Sequence, residues 1–448
     1  MINTLSSRNF LDMNQYKDLG QPEGKKLVRP FRFLSTFQSL LSSGLAIAVA
    51  QIIMMAYAIV TARWLSPETY GIMAACYAAA TLFSFFLNWG IDTWLLRQGA
   101  LDSNPALLLG NVVLFKLALG VIWILVLWLV LRIVQPDLYQ PLILAITILD
   151  VLFDSIFNSF LVISVAVEKV RPALLLMTSS RVFRFISALF LIFVGTKSLF
   201  LFSLVRFGCT LIMVAIAWQM ARPRIGSFRL LTFVDLIKAA LPYSTSDFLT
   251  LVYAQSDIVL LSLLVGNRGI IGNFSVVISL MNAILTIPTG IYSIWLPKII
   301  HRRSEERSRF LASILELYGS LSGIGIAIWL SLVLFAREIT AFALGDAYTT
   351  TGLLLAMISP IFIIKCLNQA NTALLIAGDL QKERLLPQLV SVLIKIIVGI
   401  AIIPVFQAVG MVWLGIFSEF VLLVGYSYKV FQQRRGILSP MPAEGGVG

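Results

Sequence analysis

Residues 33–62 read FLSTFQSLLSSGLAIAVAQIIMMAYAIVTA, without one Asp, Glu, Lys or Arg. A helix rises 1.5 Å per residue and the hydrocarbon core of a bilayer is about 30 Å thick, so about 20 apolar residues suffice to cross it. This stretch exceeds that length. Residues 69–91, 269–297, 317–336 and 396–418 are likewise free of charge. The chain of 448 residues is 59% hydrophobic and 12% charged, against about a quarter charged in an ordinary soluble domain. The shortage of charge runs from about residue 33 onward, which describes a polytopic membrane protein rather than a soluble domain with one anchor.

Working outward from these runs, we expect about twelve spans at 33–60, 70–95, 107–131, 141–165, 173–195, 198–220, 236–265, 269–296, 311–335, 348–377, 387–405 and 408–430. Lipid offers no partners to backbone N–H and C=O groups, so spans of this length are helices and the fold class is an all-α integral membrane protein. Residues 1–32 are polar and charged, lacking the apolar core of a signal peptide. Cys76, Cys209 and Cys366 fall in apolar spans and read as packing residues. His301 sits beside Arg302 and Arg303 in what reads as a polar loop, and no histidine metal cluster or cofactor is expected.

The net charge of +12 sorts by side. Six N-terminal Lys/Arg, Arg97, Lys169, Arg171, the 222–238 cluster, the 298–309 cluster, Lys382, Arg384 and the basic residues at 429–435 share one side. The other holds only Arg63, Arg132, Lys197, Arg268 and Arg337. Basic loops face the cytoplasm, so both termini are placed there, in the cytoplasmic (inner) membrane. Anionic lipid accounts for the basic loops, and no nucleic acid is needed as a partner.

A faint repeat runs through the chain. Leu65-Ser66-Pro67-Glu68-Thr69-Tyr70-Gly71 echoes Gly266-Asn267-Arg268-Gly269-Ile270-Ile271-Gly272, and Gly90 is matched with Gly290. Glu168-Lys169-Val170-Arg171-Pro172 corresponds to the 378–387 segment. We therefore expect two parallel six-helix bundles around a central cavity, at 33–220 and 236–430. A basic linker at 221–235 joins them, with cytoplasmic segments at 1–32 and 431–448.

Ionisable groups inside lipid pair with one another or line a cavity. Asp150, Asp154 and Asn158 recur at four-residue spacing on one helix face, and Arg181 and Arg184 share a face of the next span. Either a buried pairing or a cationic cavity fits this pattern. Lys365, Asn368 and Asn371 form a polar stripe in one span, and Asp247, Lys395 and Glu419 fall in three other spans of the second half. Asn88 and Asp92 are expected on one face of a continuous span 2, Arg63 and Arg97 lie at opposite membrane borders, and Lys116 is expected to snorkel. Pro242, Pro288 and Pro360 are expected to interrupt their spans. A channel would show a selectivity filter and an enzyme a sizeable catalytic loop; neither is visible.

Ala62-Arg63-Trp64-Leu65-Ser66-Pro67-Glu68-Thr69-Tyr70-Gly71 resembles the Ala-Arg-x-Leu-Gly-Pro-x-x-Tyr-Gly signature of bacterial polysaccharide-biosynthesis membrane proteins. These are oligosaccharide flippases related in fold to multidrug and toxic-compound extruders. Gly90-Ile91-Asp92 followed by Arg97, and Gly269-Ile270-Ile271-Gly272-Asn273-Phe274, extend the resemblance, which covers roughly 33–430; Ser66 replaces the usual Gly. The resemblance implies a non-enzymatic carrier moving undecaprenyl-pyrophosphate-linked repeat units to the periplasmic leaflet by alternating access, for exopolysaccharide, O-antigen or capsule synthesis. Its implied partners are the lipid-linked oligosaccharide, a coupling ion (H+ or Na+), and a polymerase with its chain-length regulator.

On that reading Arg63, Arg97, Arg181, Arg184, Lys365 and Asn368 are candidate substrate contacts. Asp92, Asp150, Asp154, Asp247 and Glu419 are candidates for ion coupling or charge pairing. A cation-coupled drug or metabolite exporter of the same fold is the alternative.

Overall fold

The computed structural model describes residues 32–102, 104–223, 230–303 and 307–434. The expected cytoplasmic N-terminal segment and most of the expected C-terminal tail lie outside the described residues, as does the middle of the 221–235 linker. The contacts below lie within the compact unit that begins at Ser42.

The described secondary structure is helical throughout. The elements are α1 (Arg32–Phe83), α2 (Phe85–Asn88), α3 (Ile91–Gly99), α4 (Pro105–Val134), α5 (Pro141–Ala166), α6 (Val170–Phe193) and α7 (Leu199–Ala221). They continue with α8 (Leu230–Leu264), α9 (Arg268–Ile284), α10 (Thr286–Arg303), α11 (Arg307–Leu344), α12 (Thr349–Ile358), α13 (Ile361–Ala377) and α14 (Leu385–Gln432). Among the described residues nine helices are long and apolar enough to cross a membrane, or ten if Asp346–Ile358 and Ile361–Ala377, bent by 48°, form one span. This is a multi-pass integral membrane protein.

Local chemistry sets where these helices start and break. Pro105 and Pro141 open α4 and α5, where a missing N–H costs nothing. Asn267 caps α9 by accepting from the Ile270 N–H at 3.1 Å, satisfying one orphan donor. Two helices are too long for one crossing. At 52 and 48 residues, α1 and α14 would run about 78 and 72 Å if straight. Each contains one non-helical residue, Ser66 (φ 68°, ψ 156°) followed by Pro67 in α1, and Gln407 (φ 52°, ψ −128°) three residues after Pro404 in α14. Proline withholds a hydrogen-bond donor at both places.

Several sequence expectations need correction. Span 2 is not continuous: Trp89 and Gly90 take left-handed conformations between α2 and α3, so Asn88 and Asp92 do not share one helical face. Breaks do fall near Pro288 and at Pro360, but α8 runs unbroken past Pro242. His301 belongs to the last turn of α10 rather than to a loop. Lys116 does not snorkel; it is fully buried, because a carboxylate waits for it inside. Gly290 takes no positive φ, unlike Gly90.

The kink region of α1 and the start of α9 meet at an unusually close approach. A Cβ on Gly71 would lie 1.9 Å from the Arg268 carbonyl oxygen, and one on Gly272 would lie 1.9 Å from that of Pro67. Only glycine lets two helix backbones approach this far. Around this point Tyr348 Oη donates to the Ala62 carbonyl at 2.8 Å and Arg63 Nη1 to that of Phe342 at 3.2 Å. Arg268 Nη2 donates to the Asp137 carbonyl at 2.5 Å. Together these contacts tie α1, α9, α11 and the connection after α4 to one another and seal this end. Facing outward, α4 exposes Val121, Ile122, Leu125 and Leu129 while burying Phe115, Trp123 and Leu127, the stripe expected of a lipid-facing helix.

Candidate functional site

Between α1, α7, α8 and α9 lies a cavity of about 220 Å³. Its wall combines apolar Met54, Met73 and Ile258 with polar Gln51, Gln255 and Asn282, three tyrosines (Tyr57, Tyr70 and Tyr77) and a single cation, Arg206. The Arg206 guanidinium stacks 4.0 Å from the centroid of the Tyr77 ring and donates from Nε to Asp150 Oδ2 at 2.8 Å. A cation beside low-dielectric walls is retained because the Asp150 carboxylate and the ring face replace part of its hydration.

Behind Arg206 a polar chain runs into the bundle. Thr210 Oγ1 donates to Asp150 Oδ1 at 2.5 Å and accepts from Arg184 Nη2 at 2.9 Å, and Arg184 pairs with Asp154. Arg181 Nη1 donates to Gln51 Oε1 at 3.2 Å, and Gln51 lines the cavity. Three arginines against two aspartates leave this group with one surplus positive charge at the cavity.

Asp92 anchors a second group. It takes Lys116 Nζ at 2.9 Å, Ser159 Oγ at 2.7 Å and Asn158 Nδ2 at 3.0 Å. Lys116 Nζ also reaches the Ser155 carbonyl at 3.0 Å, and Ser155 Oγ donates to Asn88 Oδ1 at 3.1 Å. The helix break thus delivers Asn88 and Asp92 to one polar cluster although they occupy separate helices.

The third group sits among α8, α13 and α14. Lys365 pairs with Glu419 and Lys395 with Asp257, while the two ammonium groups flank the Tyr253 ring at 5.3 and 5.1 Å from its centroid. Asn368 Nδ2 donates to Glu419 Oε2 at 2.9 Å. None of these side chains belongs to the cavity wall described above.

The sequence-derived candidates therefore do not gather in one place. Arg181, Arg184, Asp150 and Asp154 gather beside the cavity; Lys365, Asn368 and Glu419 gather in the third group; Asp92 holds the second. Arg63 lies at the sealed end, and Arg97 at the opposite end, where its Nη1 donates to Tyr243 Oη at 2.8 Å. Asp247 accepts from Thr93 Oγ1 at 2.9 Å and forms no ion pair among the described residues. Sequence reasoning missed Arg206 and the tyrosines. Arg206 carried a signal, an arginine at mid-span in 198–220; the tyrosines carried none in an aromatic-rich chain.

Residues 37–300 match the family described as "Polysaccharide biosynthesis protein", well over half of the chain. The chain belongs to that family. No curated protein sequence matches it. Among solved structures, the inward-closed lipid II flippase MurJ aligns with a TM-score of 0.68 at 16% identity, covering 88% of this chain and 89% of that one. An inward-facing multidrug resistance MATE family transporter of the MOP superfamily gives 0.66 at 13%, covering 90% and 100%. The MATE multidrug transporter DinF-BH gives 0.64 at 14%, covering 94% and 100%. At such identities the likeness shows a shared fold.

Proposed function

We propose that this protein is a flippase that carries undecaprenyl-pyrophosphate-linked oligosaccharide repeat units from the cytoplasmic to the periplasmic leaflet, by alternating access, for exopolysaccharide, O-antigen or capsule synthesis. The observation that carries this reading is the surplus cation at the cavity, with Arg206 in its wall. A pyrophosphate and its sugars would lose their hydration in lipid at large cost. A guanidinium forks onto phosphate oxygens, and tyrosine faces and amides suit sugar rings and hydroxyls. Asp150 holds Arg206 in this structure; an incoming pyrophosphate competes for the same donors. Arg181 and Arg184 extend the positive field, while Arg63 and Arg97 act at opposite ends of the molecule rather than in the wall.

On this proposal the breaks at Ser66 and Gln407 are the turns between successive crossings. Each of the two long helices is then two spans, giving about twelve spans in two six-helix bundles. The basic loops set both termini in the cytoplasm of an inner-membrane protein, and a polymerase with its chain-length regulator would receive the product.

The test is reconstitution of the full chain in vesicles with a fluorescent polyprenyl-pyrophosphate-linked oligosaccharide, following its appearance in the opposite leaflet. Wild-type protein is expected to move it and an Arg206→Gln variant, correctly inserted, is not. Equal movement by both would overturn the assignment. A second reading, a cation-coupled exporter, draws on Asp247, a carboxylate in an apolar helix without a cationic partner among the described residues. It is separated by drug-resistance and surface-glycan assays on a deletion strain.

A further inference from the structure

Around the helix break at 84–90 four aromatic side chains, Phe83, Phe85, Phe86 and Trp89, pack on one another, and Phe85 joins them to Phe248 of α8. Phe85 meets Phe248 at 4.7 Å between ring centroids and Trp89 at 5.4 Å, and Phe86 meets Trp89 at 5.9 Å. Phe86 is 47% exposed and Phe248 41%, so the cluster presents an exposed aromatic surface. The surface of α4 facing outward is by contrast aliphatic.

Keeping this cluster is costly. Trp89 holds φ 42°, an unfavourable conformation for a bulky side chain. Gly90 follows at φ 79°, and a Cβ there would lie 2.7 Å from the Ser244 nitrogen. Strain of this kind persists where surrounding structure demands it.

The position is as informative as the composition. Ala78 of α1 and Gln255 of α8 line the cavity. Phe85 lies seven residues beyond the first and Phe248 seven before the second, two helical turns along the same directions, about 10 Å away. Phe83 lies about 24 Å from Pro67 along its helix, and Phe248 about 24 Å from Leu264. The aromatic surface is thus at the level of the membrane far from the sealed end, and both halves of the chain contribute to it.

We propose that this aromatic cluster is the docking site for the polyisoprenoid chain of the lipid-linked substrate, holding its first isoprene units while the pyrophosphate enters the cavity toward Arg206. This rests on the flippase reading. Flat aromatic faces give branched, unsaturated chains extensive dispersion contact, and a separation of about 10 Å along the same helices from the cavity wall is short enough for one lipid-linked molecule to reach both.

The full chain in nanodiscs is labelled with a polyprenyl monophosphate bearing a diazirine on its second isoprene unit, in parallel with a phosphatidylcholine bearing the same group in its acyl chain. Cross-linked positions are then mapped by mass spectrometry. The polyprenyl probe is expected to mark 83–89 and Phe248, to be displaced by unlabelled undecaprenyl phosphate but not by phosphatidylglycerol, and to lose about tenfold labelling in Phe86→Ala/Phe248→Ala. The Phe86→Leu/Phe248→Leu variant controls for folding and is expected to label at an intermediate level. Equal marking by the phosphatidylcholine probe, or polyprenyl labelling concentrated on α4, overturns the proposal. If the wild type still moves the polyprenyl-linked oligosaccharide under those outcomes, only the tail site fails; if it moves none, the flippase reading fails with it.

Discussion

Two buried ionic groups, one in each half of the chain, use similar materials in opposite ways. Beside α5, α6 and α7, three arginines face two aspartates, and the network reaches the cavity through Arg206 and Gln51. Among α8, α13 and α14, two lysines face Asp257 and Glu419 around one tyrosine ring, and the cavity wall takes none of them. The first network has charge to offer a ligand; the second is neutral and stands apart from the cavity wall. A buried balanced pair fixes helix positions, whereas on the proposed function the unbalanced one at the cavity serves as the anion site. The choice of cation fits this division, since the planar guanidinium recognises phosphate with directional pairs and the ammonium does not.

The largest effect is expected where that contrast is sharpest. Arg206→Ala strands the Asp150 carboxylate, which is 2% exposed, and should cost about 3–5 kcal/mol of stability as well as abolish transport. Adding Asp150→Asn should restore much of the thermal stability measured by fluorescence-detected size exclusion while leaving transport lost. Recovery of transport in the double variant would mean the pair is a scaffold, and the contrast between halves would collapse.

Next in size is the glycine crossing. Gly71→Ala or Gly272→Ala must push two backbones apart and should cost about 1–3 kcal/mol, seen as a lower melting temperature and greater labelling of a cysteine placed at the sealed end. Gly290→Ala, with nothing within 4 Å of an added Cβ, should change neither.

The balanced network should tolerate removal as a pair. Lys365→Met with Glu419→Gln exchanges an ion pair for neutral groups of similar size and is expected to shift stability by no more than about 2 kcal/mol, with transport retained. A transport loss at wild-type stability would give this network a direct role and break the comparison from the other side. Smallest of all, Tyr348→Phe removes one hydrogen bond to the Ala62 carbonyl, worth about 1 kcal/mol, and should modestly favour opening of the sealed end in the same cysteine-labelling measurement.

The candidate site was half legible in the sequence. Asp150, Asp154, Arg181 and Arg184 announced themselves as charges in apolar runs, and Asp154 does meet Arg184 across neighbouring helices. Helical spacing says which residues share a face but not which helix that face meets. Asp150 therefore finds its partner on α7 rather than α6, and Lys116 turns inward to Asp92 rather than out to the interface. The repeat shows the same limit: Gly71 and Gly272 could be aligned as equivalents, but nothing in their spacing says that they touch.

What the sequence alone determined is the membrane-embedded helical architecture and the family, because hydropathy, helical rise and a ten-residue motif are local properties of the chain. Only the tertiary structure decided which charges cancel, which one faces the cavity, and where α1 and α9 close against each other. Those outcomes depend on pairings between residues far apart in the chain, and a buried charge takes whichever partner the packing brings within reach.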